Sequence, residues 1–248
     1  MRSQVRILGI VLCALAAAAC GGDGNGTGGT GGTGGTGGTG GGQTSTVSGV
    51  VRDDVTDLPV EGATVEVFGT SISDTTDASG GFTLQNVPNG DRFFVASAAG
   101  NWSIVDYYEV PAETAAGVPL YVAPDAEITA LALALQRTLD ENDGIVDIYF
   151  YDGAEGGETG TITPAQSDLP FTFDLSGDPQ VQDTIIAFQG EGDLVFTSVP
   201  SGGTITADVM GAAGVTDCVV DETPVPRTTY PILPKSITIV YAYCLPAQ

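Results

Sequence analysis

The stretch VSGVVRD (Val47–Asp53), followed by LPVEGATVEV (Leu58–Val67) and TDASGGFTLQNVPNGD (Thr76–Asp91), decides the fold. Ala63, Val65 and Val67 alternate with Thr64 and Glu66, the period of two that half-buries a strand. Val47–Asp53, Ala63–Phe68, Gly81–Gln85 and Phe93–Ala98 are each rich in β-branched or aromatic residues and bounded by Gly, Pro, Asn or Asp. Pro59 and Gly62 bracket one turn; Asp77, Gly80 and Phe82 form a hairpin turn and its first inward residue. Val87, Pro88 and Gly90 make the next turn. Proline presets φ before such turns and glycine supplies their positive φ. Short strands at this spacing predict a β-sandwich.

In this order the three segments closely resemble the carboxypeptidase regulatory-like domain. That family is a prealbumin-like (transthyretin-like) sandwich of carbohydrate-binding-like fold, found as an accessory module in many exported proteins. The resemblance covers residues 46–124 and rests on turn positions, which report fold and not chemistry. It implies a binding module, with carbohydrate as the ligand class. Trp102, Tyr107 and Tyr108, just after the fifth strand, are the candidate sugar platform. The competing reading places Trp102 and one tyrosine in the sandwich core.

Upstream, Arg2 and Arg6 precede a 13-residue apolar run, Ile7 to Ala19, that is too short to span a bilayer and ends in small residues. The segment LAAAAC (Leu15–Cys20) resembles a bacterial lipobox, although Ala17 stands where the pattern usually has Leu. The resemblance implies a signal peptide over 1–19 and lipidation of Cys20, with acyl chains of the palmitate kind inserted in the membrane. Two or three such chains anchor far more firmly than one. By resemblance to the enteric lipoprotein sorting rule, Gly21 after the cysteine implies the outer membrane, and the signal implies an exported protein on the cell surface. Residues 20–45 complete a Gly-Thr tether with period three from Thr27 to Gly42, which lacks the proline of collagen and cannot bury apolar surface. As random coil it would reach about 25–30 Å. Cys13 leaves with the signal and Cys20 takes lipid, so Cys218 and Cys244 are expected to form a disulfide, the alternative being two buried thiols.

Downstream, Ile128, Leu131, Leu135 and Leu139 share a helical face, with Asp125 as N-cap and Arg137 in the last turn, so a connecting helix is preferred over 125–140. A strand is the alternative, because Leu131, Leu133 and Leu135 alternate with alanine. Residues 141–248 are β-rich. GIVDIYF at Gly144 parallels GATVEVF at Gly62, and LVFTSVPSG at Leu194 parallels FTLQNVPNG at Phe82. A second, divergent sandwich-like domain follows, with an excursion between Gly153 and Asp183 and a closing strand from Lys235 to Cys244. The expected fold class is therefore mainly β, two sandwich domains joined by one helix.

The formal charge is −24, and two units more negative once Arg2 and Arg6 are cleaved. Such a surface has few cations with which to release counterions, which argues against nucleic-acid binding. The chain has no histidine, so Ser-His-Asp, Cys-His and imidazole-zinc chemistry are excluded. Lys235 has no serine three residues before it, and the tether lacks a phosphate-loop lysine. Only paired carboxylates remain as a catalytic device, and with 31 acids some pairs must be close. No catalytic residue, metal or cofactor is therefore expected. Asp53, Asp54 and Asp57, and the turn Asp140–Gly144, miss calcium-loop spacing and read as solvated turn acids. Two functions stay open, each with a membrane-anchored protein. One is a glycan-binding module, favoured by exposed aromatics in one patch. The other is a structural spacer engaging an envelope protein, favoured by an unpaired edge strand.

Overall fold

The computed structural model describes residues 43–220 and 229–247. The signal segment, Cys20 and the tether lie outside the described residues. The first module runs through β1 (Thr44–Asp53), β2 (Thr64–Val67), β3 (Ser73–Thr75), β4 (Gly81–Pro88), β5 (Gly90–Ser97), β6 (Asn101–Val110) and β7 (Ala115–Pro124). β4 and β7 flank β1, antiparallel and parallel respectively, while β3, β2 and β5 form the facing layer. β6 passes from one layer to the other: Asn101–Ser103 pair with β7, and Ile104–Val110 pair with β5. Val51, Leu84, Leu120 and Val122 on one layer meet Val65, Val67, Phe94 and Ala96 on the other. The alternation expected at Ala63–Val67 is present, with Thr64 and Glu66 exposed. Gly49 has no room for a side chain, because a Cβ there would run into the Val118 carbonyl oxygen of β7.

The helix α1 (Asp125–Leu135) follows directly, ending before the boundary at 140. Pro124, not Asp125, is its N-cap, and Asp125 instead pairs with Lys235 at 3.0 Å. Gln136 adopts the left-handed conformation (φ 54°) and stops the helix before Arg137. The Arg137 guanidinium donates to the Thr197 hydroxyl and the Leu169 carbonyl rather than to the helix end.

The second module contains β8 (Asp143–Tyr151), β9 (Thr159–Thr163), β10 (Phe171–Phe173), β11 (Pro179–Val181), β12 (Gly192–Pro200), β13 (Thr204–Met210), β14 (Thr216–Val220), β15 (Tyr230–Pro231) and β16 (Ser236–Pro246). Its pairings repeat those of the first. β12 lies antiparallel and β16 parallel on the two sides of β8, as β4 and β7 do on β1. β13 pairs antiparallel with β9, as β5 does with β2. The local geometry repeats too. Asn86 (φ 60°) and Ser198 (φ 57°) each sit two residues before the proline of V-P-x-G, at a register shift in the ladder, and Gly90 and Gly202 both have φ 82°.

This pairing corrects the sequence alignment of the two halves. The Gly144 stretch corresponds to β1, not to the Gly62 stretch, whose counterpart is β9. Similar alternation in two strands cannot tell which neighbour each will pair with, whereas the ladder can. The excursion after Gly153 holds β9 and the β10–β11 hairpin, which extends the sheet beyond β12.

The modules are not beads on a string. Ser236–Thr238 of β16 pair in parallel with Ser103–Val105 of β6, so one sheet runs through both. The inner face of β8, β12 and β16 (Ile148, Phe150, Leu194, Val240, Ala242) packs on Ile162 and Ile205. The outer face of the same strands (Ile145, Tyr149, Val195, Ile237, Ile239) is covered by Ile128 and Leu131 of α1 and by Trp102 and Ile104. β8 is therefore buried from Gly144 to Phe150 on both faces.

Cys218 and Cys244 form a disulfide, directly opposite each other on β14 and β16 with Cα atoms 4.2 Å apart. No helix among the described residues is long and apolar enough to cross a membrane.

Candidate functional site

The three aromatic residues singled out from the sequence do not form one surface. Trp102 is 4% exposed and lies in the layer between α1 and the second module. The cross-strand pairing that joins the modules is what buries it, so it is no open platform. Tyr108 lies six residues along the same face of β6, roughly 20 Å away at the usual strand rise. There it packs edge-on against Phe94 of the first core and donates to the Pro119 carbonyl. Tyr107 faces the other side, with its ring near Phe93 and its hydroxyl 2.7 Å from Asp91 Oδ1.

A different group of aromatics does come together. On the parallel ladder of β8 and β16, Tyr149 stands opposite Tyr241 and Tyr151 opposite Tyr243. Residues two apart on a strand share a face, so the four rings make a two-by-two block. Tyr149 and Tyr151 stack with centroids 6.0 Å apart, Tyr241 meets both edge-on at 6.2 Å, and Tyr151 and Tyr243 are 5.6 Å apart. This block continues the outer face of the second module. Tyr149 is buried, while Tyr151, Tyr241 and Tyr243 are half-buried.

Carboxylates flank the block on both sides. Asp106 of β6 accepts hydrogen bonds from the Tyr241 hydroxyl at 3.0 Å and from the Tyr107 N–H at 2.7 Å. Burial raises its pKa to about 6 despite these bonds. On the other side, Asp193 of β12 lies opposite Tyr149, and Asp147 of β8 lies diagonally from it. Asp147 is fully buried, and neither of its carboxylate oxygens has a hydrogen-bond partner. Desolvation raises Asp147, and desolvation together with the Asp147 and Glu191 charges raises Asp193. Asp193 is half-buried, and a desolvated carboxylate beside the fully buried Asp147 makes it costly for both to ionise, so the pair favours holding a proton. Burial and the surrounding carboxylates, Glu191 foremost, push the Tyr149 phenol up, and burial with Asp106 does the same to Tyr241. These two hydroxyls stay protonated and can donate.

The site was partly visible in the sequence as Y-F-Y at 149–151 and Y-A-Y at 241–243. The spacing puts each pair on one face; only the β8–β16 ladder, across 90 residues of chain, puts the pairs side by side.

One group of potential metal ligands is close-set: Glu158, Cys218 and Cys244 have ligand atoms within 4.8 Å of one another. Both sulfurs are committed to the disulfide, and the Glu158 carboxylate accepts from the Glu155 and Gly156 N–H groups and the Thr216 hydroxyl. The arrangement is complete without an ion.

The fold and site define a two-module β-sandwich carrying a tyrosine-carboxylate face. Residues 46–122 match the family model of the carboxypeptidase regulatory-like domain. A search of curated proteins finds no match. Among solved structures, the chain is similar to a type II cohesin–X-dockerin complex of Acetivibrio cellulolyticus, at 24% identity over 36% of this chain and 73% of that one (TM-score 0.28). It is similar to a candidate carbohydrate-binding protein of Bacteroides uniformis, at 12% identity over 83% and 100% (TM-score 0.28). It is also similar to the shaft pilin SpaA of Lactobacillus rhamnosus GG, at 12% identity over 83% and 98% (TM-score 0.23). The roles named in those structures belong to those proteins.

Proposed function

We propose that this chain is a non-catalytic surface lipoprotein, anchored through acylated Cys20, that binds carbohydrate on the Tyr149–Tyr151–Tyr241–Tyr243 face. The observation that carries the reading is the two-by-two tyrosine block with carboxylates on either side. Sugar rings present C–H faces that pack on aromatic rings and hydroxyls that need acceptors close by. Half-buried tyrosines supply the first, and the exposed Glu191 carboxylate beside Tyr149 supplies the second. The carboxylates serve as acceptors rather than catalysts. Asp147, on the same face between Ile145 and Tyr149, is fully buried.

Edge-strand recruitment of a protein partner is the weaker reading, because the β4, β3 and β11 edges are blunted. The Thr83 N–H on β4 is capped by Asp74 Oδ2 at 2.7 Å, and the same strand carries the Asn86 bulge. β3 and β11 are three residues long, and β11 begins with Pro179. Short strands, bulges and proline are the devices that stop edges pairing with other chains.

The test is a glycan array probed with the chain from residue 44 onward, beside the Tyr151→Ala, Tyr243→Ala double variant. Saturable sugar retention that disappears in the variant supports the reading. Retention unaffected by the variant, or no retention at all, overturns it.

A further inference from the structure

The tyrosine block does not end at β16. β14 lies antiparallel beside that strand, with Val219 opposite Tyr243 and Asp217 opposite Leu245. Cys218 and Cys244 alternate with these residues and pack on the inner core, so Asp217, Val219, Tyr243 and Leu245 share the outer face with the block. Val219 is 56% exposed and Leu245 48%, so the apolar surface beyond Tyr243 is open to solvent. On the other side of the block, Glu191 comes just before Gly192, which pairs with Phe150. Alternation puts Glu191 on the outer face with Asp193, level with Tyr151. A tight hairpin fixes its backbone there, the Glu191 N–H donating to the Phe188 carbonyl and the Phe188 N–H to the Glu191 carbonyl.

The face is thus a strip running across the strands through Glu191, Tyr151, Tyr243 and Val219, with Leu245 and Asp217 one step along. Three strand spacings make it roughly 14 Å wide. Each end carries an exposed carboxylate, Glu191 beside β12 and Asp217 on β14. The described basic side chains are held elsewhere. Arg52 turns to Asp57, Arg92 to the Asp91 and Asn89 carbonyls, Arg137 to Thr197 and Leu169, and Lys235 to Asp125 and Glu141. Such a strip repels an anionic sugar. It complements a ligand that is apolar on its ring faces and positively charged at its substituents. An ammonium group beside a tyrosine ring gains cation–π attraction, and an adjacent carboxylate adds a charge-assisted hydrogen bond.

We infer that the sugar bound on this face carries free amino groups: a short glycan of unacetylated amino sugars, lying across the strands from Glu191 to Asp217. The inference rests on the carbohydrate reading of the tyrosine face and names the class of sugar. The rings pack on Tyr151, Tyr243 and Val219, while ammonium groups meet Glu191 at one end and Asp217 at the other. The same two carboxylates turn away acidic polysaccharides.

The experiment is calorimetric titration of the mature chain at physiological ionic strength and about pH 6, below the range in which α-amino groups titrate. The probes are β-linked tetrasaccharides of glucosamine, of N-acetylglucosamine and of glucose. The free-amine probe should bind about 10-fold more tightly than the other two. Glu191→Gln with Asp217→Asn should remove that preference and leave the binding of the glucose probe unchanged. Glu66→Gln, an exposed acid on β2 of the first module, should keep the preference, which separates the site from the general pull of a chain of charge −24. Equal binding of the three probes, tighter binding of the acetylated one, or a preference that survives the double variant overturns the inference. So does a preference lost in Glu66→Gln. Each of those results leaves the carbohydrate reading standing, provided that binding is lost in the Tyr151→Ala, Tyr243→Ala variant. No binding of any probe overturns the inference, and the glycan array then decides the carbohydrate reading separately.

Discussion

Tyr151 and Tyr243 stand directly opposite each other on β8 and β16, with ring centroids 5.6 Å apart, although 92 positions separate them in the chain. Aromatic pairs of this kind couple by about 0.5–1.5 kcal/mol beyond the area they bury. A double-mutant cycle of Tyr151→Leu and Tyr243→Leu in urea denaturation should return a coupling in that range. A coupling near zero would mean the rings are merely adjacent, and the block would lose its rigidity as a platform.

The buried carboxylates give stability an unusual pH dependence. Asp106 is raised to about 6, Asp54 to about 7 and Glu127 to about 8, in each case chiefly by burial. A carboxyl whose folded pKa exceeds its unfolded value near 4 binds more protons folded than unfolded within that window. Its contribution is therefore full below about pH 4 and is lost as pH rises through the folded pKa. The free energy of unfolding should fall from pH 4.5 to pH 8. Asp106→Asn should remove the portion lost between about 4 and 6, on the order of 2–3 kcal/mol. A profile that rises across this range would contradict the burial of these groups. Asp77 works the other way: the Ser79 hydroxyl and neighbouring N–H groups lower it, so its small contribution disappears only in acid.

The first module was legible because its turns carry chemistry that single residues reveal: Pro59, Gly62, Asp77 and Gly80 set dihedrals locally. The helix was legible from its apolar spacing, but its ends were not, because Gln136 in the left-handed region stops it where a glycine would be expected. The tyrosine face was legible only as two separate Y-x-Y spacings, at 149–151 and 241–243. Trp102 looked like a surface platform because nothing local shows that β16 pairs beside it. Asp54 looked like a solvated turn acid, although both its carboxylate oxygens are buried. Long-range pairing decided the tyrosine face and the place of Trp102, and pattern within one strand carries no record of it.

The disulfide closes a 26-residue separation that includes the segment 221–228. In the chain-entropy model such a loop is worth roughly 3.5 kcal/mol. Cys218→Ser with Cys244→Ser should lower the denaturation midpoint by a corresponding amount. The tyrosine block on the opposite face of β16 should persist, so sugar retention at low temperature should be nearly unchanged. Loss of retention without loss of folding would place the cystine within the binding machinery.

Trp102 is the one tryptophan in the chain, so its fluorescence reports a single place: the layer between α1 and the second module. That layer draws Trp102 and Ile104 from the first module, Ile128 and Leu131 from the helix, and Ile145, Ile237 and Ile239 from the second. Because the layer and the β6–β16 pairing hold both halves, the parent should unfold in one transition seen alike by Trp102 fluorescence and by far-ultraviolet dichroism. Trp102→Ala removes a large buried ring, at a cost of about 3–5 kcal/mol, most of it on contacts between the modules. The variant should therefore melt in two steps by dichroism, the modules having become separable. Sugar added to the parent should leave the buried indole's emission unchanged, because the proposed sugar face is the tyrosine block and not Trp102. A fluorescence shift on sugar binding would return the site to Trp102, and a single unshifted melt in the variant would show that the layer does not couple the halves.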